Sequence, residues 1–464
     1  MLRVTWVQPE DLLDHELRQA RLDGREPKAV EARWRAAGGP DAVRRRSASA
    51  GVSRYLRLLA EDLLDELADL PGRFAEDEPT GLTRITSLCP DWSAGPDGPG
   101  RHGHPADRMA TAPDPRALEA AWLGRAIGCL LGRPVRNLPL DGIRALARAA
   151  GNWPLDGYFT ARGVPEDLLA AHPWDHGSAA TCLAETIDGV PGDHDLDLGL
   201  VNLLLLRRHG RRFGTDDAAR LWLDELPPGR TSAAERLALR NLLCGIEPPG
   251  TARHRNPFRE WTGALVRAAP HGWTNPGDPA AAAGQAYRDA VLTHTANGVY
   301  AAMFTAAVIA AAVPGTHDVH ACLRAGRAVI PPRSRLAAAV DHAVRLARTT
   351  ERFEDVVDGL HARYAATHHR LHAVPNTALI AAALTHADGD FAGSVCRAVS
   401  GGWATDTNGA TAGSVAGLLA GTPAALPERW RAPLKNRLAS GLADFDGTGF
   451  DALAHLTHLE ATRS

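Results

Sequence analysis

A helix built almost wholly of small residues constrains this chain most. Gly401 and Gly402 form a flexible elbow, followed by Trp403, Ala404 and a polar run, Thr405-Asp406-Thr407-Asn408. Gly409, Gly413, Gly417 and Gly421 then recur every fourth residue among alanines and leucines. Residues four apart share a helix face, so the spacing predicts a bare stripe that a second helix can approach closely. Each glycine weakens an isolated helix by about 1 kcal/mol relative to alanine, so this helix forms only when packed into a core. Asp406 and Thr407 fall in its first turn, where unpaired N–H groups and the positive dipole end gather anions and oxygen ligands. A buried helix with a polar cap and a helix start that holds a ligand are both open on these residues alone.

The rest of the chain predicts an all-α protein. From Pro115 onward, Ala- and Leu-rich segments alternate with short Gly/Pro loops, and β-branched alternation is scarce. A length of 464 residues predicts one large core with an appendage. We divide the chain into a helical extension (1–89), a Pro/Gly-rich linker (90–113) and a main helical domain (114–464). In the extension, Gln8-Pro9-Glu10 opens a helix that ends near Gly24, and a second runs from Pro27 to Gly38-Gly39. Arg44-Arg45-Arg46 reads as a solvated loop. Leu56, Leu59, Leu63, Leu67 and Leu70 give a third, amphipathic helix that should dock on the main domain. His102 and His104 in the linker read as solvated residues.

The net charge is -3, and the 51 Lys and Arg residues are dispersed, so no nucleic-acid surface is expected. The N-terminal residues have no apolar segment of a secretory signal. The longest near-apolar run, Gly298 to Val313, is shorter than the roughly 20 residues of a membrane span and reads as a core helix. The six cysteines share no close spacing, which signals neither a zinc knuckle nor a disulfide framework. A cytoplasmic protein, monomeric or a small homo-oligomer, is expected.

Two further segments carry polar groups in apolar surroundings. Asp193, His194, Asp195 and Asp197 crowd a helix start that should lead into Leu200–Gly210. Clustered carboxylates repel unless something positive binds, and hard cations commonly answer that need. An Asp-rich cap in water is the alternative. His294, Asn297 and Tyr300 lie three apart, on one face if their helix is continuous. They require either a satisfied core network or a ligand.

These pieces, in this order, resemble the ADP-ribosylglycohydrolase family over roughly residues 115–460. Trp122-Leu-Gly-Arg-Ala-Ile-Gly-Cys-Leu-Leu-Gly-Arg-Pro-Val135 is similar to the family's first core helix, and Tyr287-Arg-Asp-Ala through His294, Asn297 and Gly298 to its long central helix. Gly401-Gly402-Trp403, Thr405-Asp406 and Asn408-Gly-Ala-Thr411 resemble the late metal-binding motif of its larger bacterial members, and Trp430 with Pro433-Leu434 their closing segment. The first 72 residues look like an extension carried by some members. The resemblance implies an orthogonal multi-helix bundle with an acidic cleft. It also implies two magnesium ions and water attack at the anomeric carbon of an ADP-ribosyl group.

The chain departs from that pattern at the ligands. The family's early acidic motif falls on Asp193-His194-Asp195-Leu196, with His194 in place of a carboxylate and Leu196 in place of a threonine. Ala404 replaces the first aspartate of the late motif, and Arg136 stands where a glutamate usually acts as base. Fewer carboxylates hold two adjacent cations poorly, so one magnesium ion on Asp193, Asp195, Asp406 and Thr407, or none, is expected. The residues implied for catalysis are Asp195 or Asp406 as base and His194 as general acid or base. Those implied for the substrate are Arg136 as an oxygen clamp, with His294, Asn297, Gly298, Tyr300, Trp403 and Asn408. A glycohydrolase acting on a small ribosyl compound, with a rebuilt site, is one reading. An inactive module that binds ADP-ribose or a partner is another, and an unrelated helical scaffold a third.

Overall fold

The computed structural model describes residues 7–39, 52–92 and 112–463; Arg44, Arg45, Arg46, His102 and His104 lie outside them. The described chain is all-α, and among the described residues the β features are isolated bridges such as Val190 with Leu438. Its spine is the glycine helix, Thr405–Ala420, packed against the helix Pro115–Gly132. The two run antiparallel with backbone against backbone. A Cβ on Gly409 would stand 2.2 Å from the Gly128 carbonyl oxygen, one on Gly413 2.0 Å from that of Gly124, and one on Gly417 2.3 Å from that of Ala120. No side chain fits there, which is why both helices need glycine at the crossing.

Gly421 does not belong to this stripe. It ends the helix at φ +78° with nothing within 4 Å of an added Cβ. A left-handed cap glycine happens to continue the fourfold spacing.

Antiparallel pairing sets the start of the glycine helix beside the end of its partner, and Thr405 Oγ1 donates to the Gly132 carbonyl at 2.7 Å. Around the pair lie the helices Ala296–Ala312, Ala373–His386, Phe391–Ser400 and Phe450–Thr462. Among the described residues no helix is long and apolar enough to cross a membrane.

Two boundaries differ from the sequence expectation. One helix starts at His194, not at Leu200, and runs to His209. Asp193 caps it, accepting from the Asp195 N–H at 2.8 Å, and the acidic first turn suits the dipole. The segment from Tyr287 to Tyr300 is not one helix. One helix ends at Ala290 and the next begins at Ala296, so His294 shares no helix face with Asn297 and Tyr300. The break is held by the Thr295 N–H, which donates to the Arg259 carbonyl at 3.0 Å.

The extension contributes the helices Pro9–Leu22, Lys28–Ala36 and Arg54–Asp69. Leu13, Leu17, Trp34, Leu63 and Leu67 form an apolar cluster with Leu237, Phe258 and Trp261 of the main domain. Buried ion pairs cross the same boundary, with Arg259 at 2.6 Å from Glu16 and 2.7 Å from Asp23.

Candidate active site

Three segments meet where the glycine helix begins. The first is the glycine helix itself, with Asp406 and Thr407 in its first turn. The second is the helix His194–His209, capped by Asp193. The third is the short turn Arg133–Val135, which continues the helix Pro115–Gly132 and ends in Arg136. The glycine crossing places the first and third together. Arg125 joins the second, donating to the Asp195 carbonyl and packing against Gly199.

The contact that closes the site runs between the two acidic helix starts. Thr407 Oγ1 donates to Asp195 Oδ2 at 2.6 Å. Asp193 Oδ2 pairs with Arg133 at 2.9 Å. Arg136 lies between Asp175, at 2.9 Å, and Asp406, at 3.6 Å, with its side chain 36% exposed. Arg370 anchors that turn, donating to the Arg136 carbonyl at 2.8 Å and to Asn137 Oδ1 at 2.6 Å.

This arrangement drives the carboxyls apart in acidity. Burial pushes the Asp195 pKa well above the carboxylate range, and the nearby Asp406 and Asp193 push it further. Asp406 is raised by burial and by Asp193, against the pull of Arg136. Burial also opposes the charge of Asp193, but Arg133 and Arg136 outweigh it and hold that carboxyl below its usual value. The site thus holds a readily protonated acid, Asp195, beside a firmly ionised one, Asp193. Paired groups with separated acidities suit proton transfer.

The carboxylates of the site are already engaged within the protein. Asp193 and Asp406 already face guanidinium groups, and Asp195 accepts from a hydroxyl. Among the described residues no three His, Cys, Asp or Glu side chains group so as to hold a metal ion. Octahedral magnesium needs convergent oxygen ligands, which guanidinium groups displace.

The structure gathers Asp193, Asp195, Arg136, Asp406 and Thr407, with His194 at the same helix start. The His194 Nε2 is buried and has no hydrogen-bond partner among the described residues. Asp197 turns away, accepting from Ser440 Oγ at 2.6 Å and from the Gly441 N–H at 3.1 Å.

The other expected substrate contacts are engaged within the protein. Asn297 donates to Glu260 Oε1 at 2.8 Å and accepts from the Leu336 N–H at 3.0 Å. Tyr300 donates its hydroxyl to the Pro79 carbonyl. Gly298 permits close approach, since a Cβ there would lie 2.5 Å from the Arg259 carbonyl oxygen. The His294 ring contacts Thr293 Oγ1 and is fully buried, and burial holds its pKa well below the usual value. Asn297 belongs to a buried network around Glu260, which also accepts from Gln19 of the extension at 2.7 Å, whereas His294, through Thr293, adjoins the Arg267–Asp289 pair. Trp403, at φ +58°, stacks on His361 with ring centroids 4.2 Å apart. Asn408 donates to Asn376 Oδ1 at 2.8 Å, and that oxygen also accepts from the Ala404 N–H at 3.1 Å. Trp403 and Asn408 therefore shape the elbow that aims Asp406.

Sequence reasoning missed Arg133, Asp175, Arg370 and Asn376. Arg133 had a signal, a cation directly after the paired helix and three residues before Arg136. Asp175 and Arg370 sit in connections far from either motif and had none; Asn376 sits in the first turn of the helix Ala373–His386 and also had none.

The sequence model of the ADP-ribosylglycohydrolase family matches residues 111–463. The chain belongs to the ADP-ribosylglycohydrolase family. One solved structure, described as an ADP-ribosylglycohydrolase-related protein complex, is similar at 21% identity over 75% of this chain and 98% of that chain, with a TM-score of 0.47. No curated protein sequence matches the chain.

Proposed function

We propose that this protein hydrolyses an N- or O-ribosyl bond of a small ADP-ribosyl or NAD-derived compound, without a magnesium pair. The observation that carries the reading is the 2.6 Å contact between Thr407 and Asp195, which joins the two acidic helix starts into one site. Asp195, whose raised pKa makes it a stronger base than a free carboxylate, takes a proton from water. The water oxygen bonds to the anomeric carbon as the bond to the leaving group breaks, and the leaving group picks up a proton. We assign that proton to His194, at the same helix start. Arg136, the accessible cation, holds phosphate or ribose oxygens, a role its planar fork suits. Asp193, fixed by Arg133, keeps the second helix start in register, and Asp406 steers Arg136.

The same arginine favours a second reading. Arg136 already bridges Asp175 and Asp406, so the site is internally neutralised and could hold ADP-ribose without cleaving it. Purified protein incubated with NAD, ADP-ribosyl-arginine and O-acetyl-ADP-ribose, with magnesium or with chelator, separates the two. Turnover that ignores chelator and disappears in Asp195→Asn supports hydrolysis. Binding of ADP-ribose with no turnover of any of the three supports the inactive module.

A further inference from the structure

The helix that begins at the acidic site ends at His209, beside a cavity of about 800 Å³. Its 16 residues span about 24 Å, which separates the cavity from the carboxylates. Arg208, Arg211, Arg212, Arg288 and Arg463 line the cavity, with no acidic side chain among its described lining residues. Glu225 neutralises Arg208, and Glu460 neutralises Arg463 at 3.2 Å. The other three have no carboxylate partner among the described residues.

Neutral oxygens fix two of these guanidinium groups. Arg288 donates to the carbonyls of Phe213 at 2.7 Å, Gly284 at 3.2 Å and Arg211 at 2.9 Å. Arg211 donates to the Ala461 carbonyl at 3.3 Å and to Asn275 Oδ1 at 3.1 Å. Such bonds set orientation but leave the positive charge uncompensated, and each guanidinium, with five N–H groups, keeps donors to spare. Burial accordingly lowers the Arg288 pKa from the usual arginine value.

A second observation concerns the wall of the same cavity. Gln285 lines it, is 1% exposed, and its Nε2 has no hydrogen-bond partner among the described residues. Its Oε1 is taken by Asn275. A stranded buried donor beside uncompensated cations is costly unless an acceptor enters.

We propose that this cavity is a second ligand site, which binds a diphosphate-bearing small molecule through Arg211, Arg212 and Arg288, with Gln285 in the wall behind them. Guanidinium forks match phosphate oxygens, and the volume lies in the range of small-molecule sites, well above what one phosphate fills. This assignment is independent of the proposed hydrolysis.

Calorimetric titration of the full-length protein with pyrophosphate, and with orthophosphate for comparison, tests it. Pyrophosphate should bind the cavity more tightly than orthophosphate. Arg212→Glu, a change at an exposed position, should weaken pyrophosphate at least tenfold, and Gln285→Leu several-fold. Gln285→Leu should keep or raise the thermal midpoint of the unliganded protein, because it removes the stranded amide. Arg136→Ala, at the other end of the helix, should leave pyrophosphate affinity unchanged. The assignment is overturned if pyrophosphate does not bind or binds no better than orthophosphate. It is also overturned if both cavity variants bind like wild type, or if Arg136→Ala is the variant that loses binding.

Discussion

Gly409→Ala is the sharpest test of the helix crossing that builds the site. The new Cβ would sit 2.2 Å from the Gly128 carbonyl oxygen and 2.8 Å from a Val399 methyl. Restoring an ordinary contact of about 3.4 Å parts the two helices by roughly 1.2 Å, and a gap of about 1 Å already forfeits up to half of each dispersion contact. Overpacking of this kind costs about 1–3 kcal/mol and occasionally more. The upper end applies, because the obstacle is backbone and cannot rotate away. Alanine returns about 1 kcal/mol of helix propensity, so a net loss of about 2 kcal/mol is expected. Urea denaturation of Gly409→Ala and Gly284→Ala reads this out. Gly284 is also helical, but nothing lies within 4 Å of its added Cβ, so that variant should gain up to about 1 kcal/mol. A neutral Gly409→Ala, or two variants that shift alike, would refute the close-approach argument.

Three further outcomes follow from the charges and the docking. Asp195 has a folded pKa raised above its unfolded value near 3.9, so its ionisation works against folding as pH rises. Asp195→Asn should therefore raise the urea midpoint at pH 7 while abolishing turnover; a lower midpoint contradicts the raised pKa. Asp289, buried at 2.7 Å from Arg267, shows the opposite sign. Burial opposes its charge, but Arg267 outweighs burial and brings the pKa down to about 2. That stability is present above about pH 4 and lost as pH falls toward 2, about 2 kcal/mol in all. Asp289→Asn should cost several kcal/mol at pH 7 and show a flatter acid limb, measured by denaturation at a series of pH values. Finally, a chain starting at residue 112 bares Phe258 and Trp261 and leaves Arg259 without Glu16. It should aggregate on size-exclusion chromatography, and a monodisperse product would show that the extension is dispensable for folding.

Much of the fold is legible in the residues because glycine spacing and apolar periodicity are local signals. Gly409, Gly413 and Gly417 announce a helix that needs a bare partner, and Gly124 and Gly128 supply one. The meeting of Asp193 and Asp195 with Asp406 and Thr407 follows from that pairing together with the family's order of motifs. The balancing charges are not legible. Arg133, Asp175 and Arg370 reach the site from separate turns, and no spacing links them. His294, Asn297 and Tyr300 mislead for a related reason. Their spacing is helical, but the backbone breaks at Thr295 to pair with Arg259, and the side chains go to separate partners, His294 to Thr293, Asn297 to Glu260 and Tyr300 to the Pro79 carbonyl. A sequence reveals that such groups need partners, not which partners the fold provides.

One acidic site, made from two helix starts and balanced in charge by arginine, carries the proposed hydrolysis. Its most direct test is the rate of ADP-ribose release from NAD, ADP-ribosyl-arginine and O-acetyl-ADP-ribose after metal stripping, for wild type and Asp195→Asn. We expect at least one substrate to be cleaved equally fast with chelator and with magnesium, and a drop of about 100-fold or more in the variant. Turnover that returns only with magnesium, or that survives Asp195→Asn, would contradict it.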